Sequence, residues 1–282
     1  MKTQPRECCI CNTRVESNLY RKVEKYKLYK CGKCKLIYLD SGNFGMNPYS
    51  FYSDVKKDKK SVAKSIVYYS FPEMYKKYQN VFNYYFNKRI NHIFNYIKNP
   101  KSILDIGCGY GLWLNFCKDK IEHVYGIDLN LEAVDYARIN YNLKVDKLTL
   151  EELKNTGKKF DVITMCDVLE HIENPNSVLK NIFSLMHKKS LLYIQVPDVI
   201  GLKIPYGYNL LLPHHLWQFN KHNVIELLRK NNFHYLSHWK GIMGIIGYYE
   251  DGSINLLMRV FFGIITRLRL GNRLMIAFRK ND

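Results

Sequence analysis

The sequence predicts an α/β protein: a largely parallel sheet with helices on both faces, preceded by a small metal-binding ribbon. Three observations carry that prediction. From Ser102 onward, short apolar runs alternate with amphipathic stretches in the order that parallel strands and crossover helices require. Residues Ile103–Leu112, I-L-D-I-G-C-G-Y-G-L, run an apolar strand straight into a glycine-studded turn. Near the start, Cys8, Cys11, Cys31 and Cys34 are spaced C-x2-C-x19-C-x2-C.

Residues 1–45 read as a zinc ribbon. Each C-x-x-C lets two sulfurs from one tight turn reach a single tetrahedral ion, and Gly32 gives the second turn its freedom. Between the pairs, Arg14–Tyr29 alternates polar with apolar residues well enough for a hairpin. Cys9 is extra and could at most substitute for Cys8. The opening residues Met1–Arg6 carry no apolar run, which predicts a cytoplasmic, reducing setting and argues against disulfides. A closed four-thiolate zinc site is structural and holds together a module too small for a core of its own. Cys108, Cys117 and Cys166 have no such spacing and read as small core or pocket residues.

Residues 46–100 read as a linker and a helical cap. Over 72–98, Met74, Tyr78, Phe82, Phe86, Ile90 and Ile93 recur at helical steps and define one apolar face, and Pro100 ends it. Residues 101–282 then form the main domain. Strands are expected near 102–106, 123–127, 143–147, 161–166 and 191–196, and helices near 111–119, 130–140, 150–155 and 174–187. A helix at 221–231, a strand near 234–239 and a closing strand at Leu274–Arg279 follow. Between the last two strands, near 254–268, Ile254, Leu257, Met258, Phe261, Ile265 and Leu268 form an apolar stripe beside Arg259, Arg267 and Arg269. Such an amphipathic helical insertion packs on its own domain, on a second copy in a homodimer, or on a membrane surface.

Composition narrows the function classes. At 282 residues with 47% hydrophobic content, the chain belongs with globular proteins. Its longest apolar stretch, Ile254–Thr266, is broken by Arg259 and falls short of the roughly 20 residues a membrane span needs. The formal charge of +18, from 43 basic and 25 acidic residues, admits a nucleic-acid partner. The excess is spread along the chain, however, and its densest run, Lys56–Lys60, has the character of a solvated loop. Phosphate-bearing small substrates would gain from the same field.

In the glycine turn, Gly107, Gly109 and Gly111 allow positive φ and close backbone approach, and Asp105 adds a carboxylate just before it. A dinucleotide fingerprint would need glycine at position 112, which is Leu112. The turn resembles the first motif of the class I S-adenosylmethionine (SAM) dependent methyltransferases. Further segments agree: His123–Asp128 (H-V-Y-G-I-D), Phe160–Met165 (F-D-V-I-T-M), Cys166–His171 (C-D-V-L-E-H) and Leu191–Asp198 (L-L-Y-I-Q-V-P-D). The resemblance implies a Rossmann-like sheet of seven strands with the last antiparallel, and SAM as cofactor. It also implies a set of contacts to that cofactor from Asp105, Gly107, Gly109, Gly111, Asp128, Leu129, Leu150, Cys166 and His171. Asp128 stands where such enzymes hold the ribose hydroxyls, and Leu150 lies in the Thr149–Glu151 stretch expected near the adenine. His171 is expected at the methionine end, with Glu170 capping the next helix or orienting it.

The acceptor side is expected at Pro213–Phe219, P-H-H-L-W-Q-F. It resembles the H-x-x-x-F element of SAM enzymes acting on small molecules and glycans, and the E-H-x-x-Y-F segment of zinc-binding sugar C-methyltransferases. Carried across, His215 is the base and His214 replaces the glutamate. Histidine suits the role, since its ordinary pKa lies near 6.5. Gln195 and Asp198 fall at the same sheet end with no assigned role. The expected activity is methyl transfer to oxygen or carbon of a sugar, nucleotide sugar or other small polar metabolite, as in surface-glycan assembly. Two alternatives stand beside it: an RNA base methyltransferase using the ribbon to bind RNA, and a non-catalytic scaffold in a glycan-assembly complex. The segment after residue 165 lacks the Asn-Pro-Pro-Tyr type motif that many base N-methylating enzymes carry.

Overall fold

The computed structural model describes residues 7–12, 17–40, 72–77, 79–199, 211–241 and 270–281, with Leu257, Val260, Phe261, Ile264, Arg267 and Leu268. In the ribbon, β1 (Ser17–Val23) and β2 (Tyr26–Cys31) form an antiparallel hairpin, and β3 (Ile37–Leu39) pairs antiparallel with β2. Helices α1 (Pro72–Lys77) and α2 (Gln79–Phe94) follow. Helix α2 stops short of the expected end at 98. The Ile93 carbonyl accepts bonds from both Tyr96 and Ile97, and Asn99 turns left-handed at φ 50° before Pro100.

The alternating domain matches its expected order closely, because each element is encoded by its own local period. It runs β4 (Ser102–Ile106), α3 (Leu112–Cys117), β5 (His123–Ile127), α4 (Leu131–Tyr141), β6 (Lys144–Asp146), α5 (Leu150–Asn155) and β7 (Phe160–Cys166). A short 3-10 turn, Leu169–His171, leads into α6 (Pro175–Ser184) and β8 (Met186–Pro197). Here the helix is shorter and the strand longer than expected. Met186 already pairs with Phe160, so tertiary pairing claims residues that a helical period would also fit. Then come β9 (Trp217–Gln218), α7 (Lys221–Lys230), β10 (Phe233–Gly241) and β11 (Arg273–Lys280).

The main sheet has seven strands in the order β10-β11-β8-β7-β4-β5-β6. Strands β4 to β8 are parallel, while β11 inserts antiparallel between β8 and β10. Successive residues of each strand feed opposite faces. Ile103, Val162 and Tyr193 pack with Phe86, Ile90, Trp113 and Val134 from α2, α3 and α4. Leu104, Ile163 and Ile194 pack with Leu153, Leu179 and Leu227 from α5, α6 and α7. The ribbon's Leu28, Leu36, Tyr38 and Leu39 belong to that second cluster, so ribbon and domain share one apolar core. Each such side chain contributes roughly 2 kcal/mol on burial.

Of the stripe near 254–268, Leu257, Phe261 and Leu268 are exposed, and Ile254, Met258 and Ile265 lie outside the described residues. Among the described residues, no helix is long and apolar enough to cross a membrane.

Candidate active site

The cofactor half of the site forms where β4 and β5 end side by side. Gly107 and Cys108 donate to the Ile127 carbonyl, folding the turn onto β5. The glycines there serve different ends. A Cβ on Gly107 would meet Val168 at 2.5 Å, and one on Gly111 would meet Leu143 at 2.7 Å, so these two are required by packing. A Cβ on Gly109, at φ 52°, would meet nothing within 4 Å. That open cradle is the place where a ligand can approach backbone.

Asp128 ties the turn to the next helix. Its carboxylate accepts from the Gly109 N–H at 2.7 Å and the Asn130 N–H at 2.8 Å, and burial raises its pKa against these bonds. Asp105 lies beneath the turn, buried, and accepts from the Thr164 hydroxyl at 2.6 Å. Burial pushes its carboxyl up to about 7, helped by the charge of Asp128 and opposed by Thr164 and Arg89. Leu129 is exposed on the rim at 38%. Leu150 is buried as the first residue of α5, beneath a capping box made by Thr149 and Glu152. Cys166 ends β7, its thiol held neutral by burial.

Sequence reasoning missed Arg89. This buried residue of α2 lies over the Trp113 ring at 4.7 Å and donates to Gln195 Oε1 at 2.8 Å. Gln195 donates in turn to Asp167 Oδ2 at 2.5 Å, and Asp167 pairs through Oδ1 with Arg273 Nε at 3.0 Å. A polar chain thus crosses the ends of β8, β7 and β11, and Asp167 turns the backbone there with φ 54°. The signal was present: Arg89 interrupts the apolar face between Phe86 and Ile90, and Gln195 interrupts the run L-L-Y-I-Q-V.

The two expected acceptor-side histidines meet the C-D-V-L-E-H turn. The Leu216 N–H donates to the Glu170 carbonyl at 2.9 Å, and His171 Nδ1 lies 2.9 Å from the His214 carbonyl, a contact in which the ring must be the donor. That bond leaves the His171 Nε2 lone pair available, and burial holds its pKa down to about 4. The His171 and His215 rings meet edge to face at 4.8 Å, and His215 Nε2 lies 3.9 Å from Glu170 Oε1. Burial, with the charge of Asp167, raises the Glu170 carboxyl well above its ordinary range. One donor atom from each of Glu170, His171 and His215 lies within 4.8 Å of the others, close enough for the three to hold a divalent ion.

At the ribbon, the four sulfurs of Cys8, Cys11, Cys31 and Cys34 also lie within 4.8 Å of one another. Cys8 and Cys34 are 3.4 Å apart and Cys11 and Cys31 3.9 Å. Tetrahedral zinc with Zn–S near 2.3 Å needs sulfurs about 3.8 Å apart, so the donor set fits that ion. The contact with the Cys34 thiol lowers the Cys8 pKa against the cost of burial.

The sequence pattern of a family described as methyltransferase domain matches residues 75–238, more than half of the chain. The chain belongs to the methyltransferase domain family. The chain is 35% identical over 100 residues to the ubiquinone biosynthesis O-methyltransferase of Aeromonas salmonicida (strain A449), covering 33% of this chain and 42% of that protein. It is 32% identical over 120 residues to the protein of the same name from Glaesserella parasuis serovar 5 (strain SH0165), covering 39% of this chain and 49% of the other. The chain therefore spans less than half the length of these curated relatives. Among solved structures, a SAM dependent methyltransferase from Archaeoglobus fulgidus superposes with a TM-score of 0.52 at 18% identity, covering 82% of this chain and 99% of that one. The chain shares that protein's fold.

Proposed function

We propose that the protein transfers the methyl group of SAM to an oxygen of a small polar acceptor, with sugars and nucleotide sugars as the acceptor class. The observation that carries this reading is one sheet end holding two things: the open cradle at Gly109 braced by Asp128, and the buried trio Glu170, His171 and His215. SAM supplies a methyl carbon on a positively charged sulfur, so the transfer neutralises a charge and needs no electrophilic help from the protein. What the protein must do is align the partners and exclude water.

In this reading Asp128 keeps lone pairs for two ribose hydroxyls, Gly109 gives the cofactor backbone contact, and Leu129 covers the adenine. His215 accepts the acceptor's hydroxyl proton, with the Glu170 carboxyl 3.9 Å from its ring. The relatives named O-methyltransferases support oxygen over carbon. Zinc on the four cysteines serves as a structural ion. The test is incubation with methyl-labelled SAM and either a nucleotide-sugar pool or total RNA. Label is expected in the sugar pool. Label confined to RNA overturns the acceptor class, and no heat in a SAM titration overturns the cofactor.

A further inference from the structure

The ribbon does not end at β3. Its sheet runs β1-β2-β3-β9, and β9 is Trp217–Gln218, the two residues that follow His215 and Leu216. Ile37 pairs with Gln218 and Tyr38 with Trp217, and the Leu39 N–H donates to the Leu216 carbonyl at 2.9 Å. The Tyr38 and Trp217 rings lie 5.8 Å apart, and Trp217 is buried. On its other side the same segment is tied to the C-D-V-L-E-H turn: Trp217 Nε1 donates to the Ile172 carbonyl at 2.7 Å, and the Leu216 N–H to Glu170. Gln218 Nε2 closes the loop on the His215 carbonyl at 3.1 Å.

Both cysteine turns are themselves fastened to the domain. Asn176 donates to the Cys9 carbonyl at 2.7 Å, Asn223 to the Cys34 carbonyl at 2.9 Å, and Lys230 to the Ile10 carbonyl at 2.7 Å. A two-residue strand has almost no pairing energy of its own, and β3 has three residues. β9 is therefore held from two sides, by the C-D-V-L-E-H turn and by β3, and the second hold is only as firm as whatever fixes β3. Cys31 ends β2 and Cys34 precedes β3, so an ion on the four thiolates fixes the turn between those strands.

We infer that the zinc ribbon is a positioning element of the acceptor site: an ion on Cys8, Cys11, Cys31 and Cys34 locks β3 against Trp217–Gln218 and thereby holds His214 and His215 against Glu170 and His171. The inference rests on the reading of that loop as the acceptor side. The cofactor half is built on β4 and β5, which pair with no strand of the ribbon, so on this inference loss of the ion acts first on the acceptor side.

The experiment uses the full chain stripped with a thiol-competing chelator, alongside Cys34→Ser, and follows amide exchange by mass spectrometry with SAM binding by calorimetry. Exchange over Leu216–Phe219 is expected to rise about tenfold or more while SAM affinity moves by less than roughly threefold, and added zinc restores the chelated wild type. On a sugar acceptor, kcat falls and the KM for SAM does not. Unchanged exchange over Leu216–Phe219 in metal-free protein overturns the inference. If stripping also abolishes SAM binding, Tyr38→Ala decides: it keeps the thiolates and removes the ring on Trp217, so zinc retained with faster loop exchange supports the inference, and zinc retained with unchanged exchange sinks it. Exchange reads the loop without turnover, so a wild type that labels no acceptor fails the proposed function and leaves this result standing.

Discussion

The cofactor half and the acceptor half of this site are built by opposite means. The first is local: Gly107 to Asp128 run from the end of β4 through α3 to the end of β5, two adjacent parallel strands, and backbone bonds set the geometry where they end. The second is assembled from the ribbon, the turn after β7 and the loop before α7, brought together by side chains and a two-residue strand. A half-site made of contiguous backbone tolerates damage elsewhere, whereas one gathered from distant segments inherits the stability of each.

Substitutions can break that contrast. Gly109→Trp fills the open cradle and should abolish SAM binding in calorimetry, while exchange over Leu216–Phe219 stays slow; a variant that still binds SAM with wild-type affinity would show that the cradle is not the cofactor site. His215→Ala should lower kcat on a sugar acceptor by roughly a hundredfold or more with SAM affinity unchanged. Full activity in that variant would remove His215 from the chemistry. Arg89→Met leaves Gln195 Oε1 without its buried donor and should destabilise the fold by about 2 kcal/mol, read from urea midpoints. Because Arg89 donates to Gln195 and its charge lowers the Asp105 pKa, SAM affinity should fall as well; a loss of stability alone would confine Arg89 to the core.

The smallest effect is in pH dependence. Burial, with His238 nearby, holds His92 down to about 4, so it stays neutral in the fold and gains a proton on unfolding below its ordinary 6.5. Its stabilising share is whole above that value and lost as pH falls toward 4. Asp105, raised to about 7, behaves oppositely: its share is whole below the ordinary 3.8 and lost as pH rises through 7. His92→Gln should flatten the acid limb of stability between pH 7 and 5 by about 1 kcal/mol, discounted because His92 is partly exposed. An acid limb as steep as wild type would assign that loss to other groups, His171 first.

The same contrast explains what could be read from the sequence. Strands and helices between residues 102 and 199 were legible because period and glycine spacing are local signals, and the cysteine pattern was legible because a metal site fixes ligand spacing. Trp217–Gln218 as a strand was not, since two residues carry no period and their partners lie at Ile37 and Tyr38. The polar chain through Arg89, Gln195, Asp167 and Arg273 was hidden for a related reason. Each member reads alone as an interruption, and only the sheet order makes them neighbours.

That sheet order also governs how much can be lost at once. Strand β10 meets the sheet through β11, which lies between it and β8. A chain cut ahead of Arg273 would shed two strands rather than one. It would also bare the flank of β8 where Met275 faces Gln195, and take from Asp167 the guanidinium that balances it. Strand β11 is thus a keystone: the pairing of β10 and the charge balance of Asp167 both depend on it.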